Sequence, residues 1–383
     1  MVTYLQSPRF CNRQWLPVSG HLSLTPTSNL GREAFRLLRI MPLTTHPTLA
    51  ALPLLISGVA GVAGLNALHW FRSKYGDQVT GQRPARNWPL RGPGIIGLDL
   101  EDVPATRKLL IAGGFRAVLN CGGSCALKSC ELDERMARRV NVESVRCLLD
   151  AMEDLPVRFI HLSIDLVYSG TQGGSHVESD PPDPVTVYGK SMVEAEQLVL
   201  ERRPDACIGR ISLPMGVSFN GHAGAIDWIQ NRFKQGKPAT LYYDEVRTPT
   251  YVECLNEVLE ELLLSDCSGL LHLGGPRRLS LNEIAQIVNR VGGYDPDLLR
   301  GCYRIEAGPI PPRAGNVTMQ SSKLAGLLNR EPFAPWPYFD ELVPTDRQWH
   351  HCRDGFAGSP DLIRRLLYQR PLPGQTLADF LGA

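Results

Sequence analysis

Tyr188 opens the stretch TVYGKSMVEAE (186–196), with Lys190 two residues on and Met192 four residues on. A tyrosine hydroxyl can hand a proton to a carbonyl, and an ammonium beside it lowers its pKa from about 10. On a helix, position i+4 returns to the same face about 40° away, whereas i+2 points to the opposite side. Lys190 is therefore off the face of Tyr188, and the residue on that face is Met192. The pattern is that of a proton relay lacking its ammonium, with Met192 a packing residue rather than a ligand.

Such a tyrosine needs a scaffold. From residue 53, apolar runs alternate with helical patterns: strands at 52–57, 77–81, 94–99, 116–121, 157–163 and 206–212, and helices including 131–153 and 188–203. That alternation indicates an α/β fold, a Rossmann-type doubly wound parallel sheet. After residue 213 it loosens. GLLHLGG (269–275) still reads as a strand, and SLNEIAQIVNRVGG reads as a helix N-capped by Ser280. Residues 1–46 read as a disordered extension, and the tail from Glu331 is rich in proline and aromatics. The uncharged run 47–71 is long enough to span a bilayer, but Pro53 and three glycines divide it into strand, turn and helix.

That turn, SGVAGVAG, carries Gly58, Gly61 and Gly64 between a strand and a helix. Glycines there let the backbone approach a pyrophosphate, whose charge then rests at the helix N-terminus. The next strand runs into TGQRPARNW, with Arg83 and Arg86 and no acid. Guanidinium groups suit a ribose 2′-phosphate, which favours NADP while leaving NAD possible.

Other classes are disfavoured. A net charge of +1 and the lack of a long basic run give no electrostatic case for nucleic acid. The ten cysteines form no CxxC pair, and Cys121, Cys125 and Cys130 lack zinc-ligand spacing. Reduced thiols, a cytoplasmic location and no metal are expected.

Several stretches resemble the dTDP-4-dehydrorhamnose reductase family of the extended short-chain dehydrogenases/reductases. NCGGSCALKSCE (120–131) is similar to the family's Asn-Ala-Ala-Ala segment, HLSIDLVYSG (161–170) to its Ser-Thr-Asp-Tyr-Val-Phe strand end, and VYGKSMVEAE to its Tyr-Gly-Lys-Thr-Lys helix. VRTPTYVECLNEVLEELL (246–263) resembles its Arg-x-Pro-Thr segment, and 308–328 its C-terminal Arg-Pro-x-Asn stretch. The resemblance implies an NAD(P)-binding Rossmann domain over 47–215, an interleaved, smaller substrate-binding subdomain over 216–330, and a tail over 331–383. It implies that Cys121, Gly122 and Gly123 lie beside the cofactor, that Asp99 lies on its adenine side, and that Arg247 and Thr248 contact a sugar nucleotide. Asn141 is expected to brace the central helices, and Asp165 to cap a turn.

The same resemblance implies reduction of a 4-keto sugar nucleotide, with Tyr188 as proton donor. The family's threonine and lysine positions are Ile164 and Met192 here. Ser163 is next to the threonine position, but successive strand residues face opposite sides. Two functions follow: a reductase of weakened or lost activity, or a silent NADP-binding regulatory protein similar to the methionine adenosyltransferase beta subunit. The retained glycines argue against a remnant that binds neither ligand. A homodimer or a protein partner is compatible with either function, and a membrane is not.

Overall fold

In the computed structural model, which describes residues 51–85 and 89–381, the apolar run Leu54–Ser57 forms β1. Its side chains alternate between two cores: Leu54 and Ile56 join Ala117, Leu119 and Ile160, while Leu55 joins Val118 and Phe159. A strand that is apolar on both sides must be covered on both, the condition of a parallel sheet flanked by helices. Each of these aliphatic side chains contributes about 1.5–3 kcal/mol on burial.

Six more strands complete the sheet: β2 (Val79–Arg83), β3 (Ile95–Gly97), β4 (Ala117–Asn120), β5 (Arg158–Ile164), β6 (Cys207–Ile211) and β7 (Gly269–Leu273). All pair in parallel, in the spatial order β7-β6-β5-β4-β1-β2-β3. Helices α1 (Val62–Tyr75), α5 (Val252–Leu264) and α6 (Leu281–Gly292) feed the core containing Leu54. Helices α2 (Val103–Ala112), α3 (Ser144–Ala151) and α4 (Val187–Arg202) feed the other. The strand order reverses between β1 and β4, so a crevice opens beyond the carboxyl ends of these two strands, where such sheets take their ligands.

The expected strands are present with shifts of a few residues at their ends. The expected helix over 131–153 is broken instead, into Leu127–Leu132, Glu134–Arg138, a π turn at Arg139–Glu143 and α3. Asp133 ends the first piece and caps the second, its carboxylate accepting from Met136 N at 2.9 Å. The run 54–75 is strand, turn and helix, and no helix among the described residues is long and apolar enough to cross a membrane. Residues 1–46 lie outside the described residues. The tail is tied down by two aromatics: its own Trp336 is buried and donates to Leu367 O at 2.8 Å, and Tyr251, outside the tail, donates to Leu366 O at 2.7 Å.

Candidate active site

The glycine turn sits at the reversal point, and its three glycines have different reasons to be there. Gly58 has φ +74°, and a Cβ on it would lie 2.5 Å from Gly122 Cα. A Cβ on Gly64 would lie 2.5 Å from Gly58 O. Backbone packing excludes any side chain at both. At Gly61 the nearest atom to an added Cβ is Gly58 O at 3.5 Å, an ordinary contact. Gly61 is also the N-cap of α1, which has neither a side-chain cap nor an acidic residue in its first turn. An open, uncapped helix N-terminus fits an anionic pyrophosphate.

The turn is braced from both sides. Gln82, buried at the end of β2, accepts from Gly58 N at 3.2 Å and donates to Leu98 O. Asn120 Oδ1 accepts from Ser57 Oγ at 2.6 Å and from Gly122 N at 3.0 Å, and its amide meets His161 Nδ1 at 2.9 Å. Cys121 and Gly122 thus border the turn, with Cys121 N donating to Ser57 O at 3.1 Å, while Gly123 lies against Asn141 instead. Burial pushes the Cys121 thiol up to about 12.

The loop after β2 is held by its own side chains. The Arg83 guanidinium donates to Leu90 O at 2.5 Å and Pro84 O at 2.8 Å. Asp99 accepts from Ala85 N at 2.9 Å. Arg86 lies outside the described residues.

Tyr188 occupies the first turn of α4, whose start is fixed twice. Thr186 caps Gly189 N at 2.9 Å, and the Glu131 carboxylate accepts from Val187 N at 2.7 Å. Tyr188 is 7% exposed; its carbonyl accepts from Ser191 Oγ at 2.7 Å, and its hydroxyl makes no hydrogen bond among the described residues. Burial raises its pKa well above the ordinary value; Cys125, Asp165 and Cys130 add to the rise, and Arg247 opposes it. Met192 is buried beside Tyr188 with Leu166, Cys130 and Ile164, and Lys190 is exposed. The spacing argument therefore holds in three dimensions: no ammonium reaches the tyrosine from its own helix. Asn141 in the π turn accepts from Ser124 N at 2.7 Å and donates to Ser191 Oγ at 2.9 Å, tying the segment after β4 to α4.

Ser163 is placed elsewhere. Its hydroxyl donates to Glu196, one turn beyond Met192 on the same helix face. Glu196 pairs in bidentate fashion with buried Arg210, at 2.9 and 2.6 Å, and Arg210 donates to Tyr168 Oη at 2.6 Å. Tyr168 contacts His272 Nε2 at 2.9 Å and stacks on His176 with centroids 3.9 Å apart. Ser163 thus belongs to a closed buried network, while Ile164 packs at the Tyr188 cluster.

Against the sequence expectation, Asp165 does not cap the turn it opens, because its carboxylate is taken by partners from other elements. It is fully buried and accepts from both Ser212 Oγ and Arg247 Nε at 2.6 Å, with a second bond from Arg247 Nη2. Arg247 also lies 3.7 Å from Glu245. Burial raises the Glu245 carboxyl, whose Oε2 has no hydrogen-bond partner, while Arg247 and Arg313 pull it down. Thr248 N donates to Ser212 Oγ at 3.1 Å, and its own hydroxyl is buried without a partner. The structure therefore gathers Tyr188, Asp165 and Arg247, and leaves Ser163 out.

Residues 53–336 match the family described as RmlD substrate binding domain. The chain belongs to the dTDP-4-dehydrorhamnose reductase family. A "Probable low-salt glycan biosynthesis reductase" of Haloferax volcanii is 26% identical over 71% of this chain and 91% of its own length. "Methionine adenosyltransferase 2 subunit beta" of Danio rerio is 23% identical over 77% of this chain and 92% of its own. The crystal structure of a dTDP-4-dehydrorhamnose reductase from Bacillus anthracis, in complex with NADP, shares the fold with a TM-score of 0.62 at 17% identity. It covers 74% of this chain and 95% of that one.

Within this family fold, Gln82, Asn120, Glu131 and Glu196 are organising residues that sequence reasoning did not single out. Glu196 left a trace, since it continues the i, i+4, i+8 face begun by Tyr188 and Met192 and so sits at a core position. Gln82 and Glu131 left none, because their partners are 24 and 56 residues away.

Proposed function

We propose that this chain binds NADP(H) and a sugar nucleotide as a reductase of its family, with slow hydride transfer that at neutral pH is more impaired in the oxidative than in the reductive direction. The observation that carries this reading is Tyr188, buried at the start of α4 with an unengaged hydroxyl. A tyrosine whose pKa is raised stays protonated at neutral pH, which is the state an acid needs. The reverse reaction needs a tyrosinate, which burial and the neighbouring Asp165 disfavour. The dinucleotide would supply hydride; Gly61 and the start of α1 would hold its pyrophosphate. NADP rather than NAD is supported by the uncharged Gln82 at the end of β2, where no carboxylate would repel a 2′-phosphate. The sugar-nucleotide assignment rests on family membership and on the names of the relatives.

A second reading, a catalytically silent binding protein like the methionine adenosyltransferase beta relative, is favoured by one observation. Ser163 is engaged by Glu196, so it does not replace the hydroxyl missing at Ile164.

The test is NADPH absorbance under single-turnover conditions with a dTDP-4-keto-6-deoxy sugar, after dinucleotide affinity has been measured by calorimetry. The Ile164→Thr/Met192→Lys variant runs beside the native chain. Slow oxidation by the native chain is expected, with the variant faster by about 10²-fold or more, the scale of one restored oxyanion donor. A silent native chain with an active variant would establish the second reading. Failure of either protein to bind NADPH would sink both.

A further inference from the structure

The loop over residues 216–224 leans on the first two turns of α1. Val217 O accepts from Asn66 Nδ2 at 2.9 Å, and the same amide donates to Val62 O at 2.7 Å. A Cβ on Gly216 would lie 2.7 Å from Asn66 Nδ2, and one on Gly224 would lie 2.8 Å from Val62 Cγ2. Both ends of the loop therefore touch the helix that starts at Gly61. Between them Ser218 organises the loop, its hydroxyl accepting from Ala223 N at 3.2 Å. Ser218 is held in turn by Asp227, which accepts from its N at 2.6 Å and from its Oγ at 2.7 Å. Asp227 lies in the first turn of the helix Ala225–Lys234.

A third donor to Asp227 comes from the tail. Tyr368 ends the π turn Arg364–Tyr368, beyond the residues 53–336 that match the family. Tyr294 Oη donates to Gln230 Oε1 at 3.1 Å, and Gln230 Nε2 donates to Tyr368 Oη at 2.9 Å. The Tyr368 hydroxyl has a single proton, and it goes to Asp227 Oδ1. Bonds to a carboxylate are among the strong ones. The tail has other anchors: Trp336 and Tyr251 hold Leu367 O and Leu366 O, and Arg370 pairs with Glu257 at 2.7 and 3.0 Å. The Tyr368 hydroxyl thus serves the loop more than the docking of the tail.

We propose that Tyr368 is a positioning residue for the dinucleotide: through Asp227 and Ser218 it fixes the loop 216–224 beside the start of α1, so that the C-terminal tail sets NADP(H) affinity. This rests on the dinucleotide reading above. A loop ordered before the ligand arrives adds no ordering cost to binding. A loop that holds that position only about a tenth of the time weakens the apparent affinity about tenfold. Tyr188 stands on α4, which none of these bonds reaches, so the effect falls on cofactor binding rather than on the proton donor.

The experiment compares the full native chain with Tyr368→Phe, by amide hydrogen exchange without ligand and by calorimetric titration with NADPH. In Tyr368→Phe, which keeps the ring, exchange should rise in the peptide covering 216–224 and stay native over α5. The melting temperature should fall by less than about 4 °C, while the NADPH Kd rises about tenfold. Ser218→Ala breaks the same link from the loop side and should give the same two changes, which decides the matter where either variant folds poorly. Native exchange over 216–224 in both variants, or faster exchange with an unchanged NADPH Kd, overturns the proposal and leaves the dinucleotide reading standing. A native chain that does not bind NADPH overturns both.

Discussion

The two sides of the crevice are built on different terms. On the dinucleotide side, Gly58 and Gly64 are required by backbone packing whether or not a ligand arrives. On the Tyr188 side, Met192 and Ile164 show that the positions beside the tyrosine accept apolar residues without damage to the helix or strand that carries them. A glycine triplet is therefore weak testimony for a ligand when two of its members are structural. The retained glycines argue against a ligand-free remnant only through Gly61, the one position of the three where a side chain would fit the protein.

The largest effect should come from the Tyr188 side. Removing the carboxylate in Glu196→Ala strands a buried Arg210, and about 3–5 kcal/mol of stability should be lost in denaturant titration. A loss below about 1 kcal/mol would mean that the network around Ser163 is not a structural knot, in which case Ser163 could be freed for chemistry.

Acid probes both sides together. Burial lowers His161, under the glycine turn, and His272, beside Tyr168 in the Ser163 network, each to about 4. Both are neutral when folded and charge more readily when unfolded, where the value is near 6.5. Their contribution is present above pH 6.5 and is lost as pH falls toward 4, about 3 kcal/mol for each. Chemical denaturation at pH 7 and pH 4.5 should show this loss. His161→Asn and His272→Asn should each flatten the profile, and a profile unchanged by either would refute the assignment.

The smallest but most specific effect isolates Gly61. Gly61→Asp supplies a favourable N-cap, so stability should change by under about 1 kcal/mol. Its carboxylate would stand where a pyrophosphate must rest, and NADPH affinity should fall by about 10²-fold. Equal loss of fold and affinity would place Gly61 with Gly58 and Gly64 and erase the contrast between the two sides.

Much of this was legible beforehand. Strands that alternate with helices, the glycine turn, the capping of α6 by Ser280 and the i+4 geometry of Tyr188 and Met192 all arise from interactions within a few residues. The π turn at Asn141 was not legible, because the pattern over 131–153 remains helical while the Asn141 side chain is drawn to Ser124 and Ser191. Nor was the role of Arg83, whose guanidinium closes its own loop.

Period and backbone freedom are local properties, and by themselves they determined the sheet, the turn and the missing ammonium. The partners of polar side chains are not local. Ser163 meets Glu196 across 33 residues and Asp165 meets Arg247 across 82, and a hydroxyl or carboxylate follows whichever donor or acceptor the folded core places beside it. Only the tertiary structure could decide that Ser163 does not stand in for the missing hydroxyl, because only packing decides which of the neighbours are already engaged.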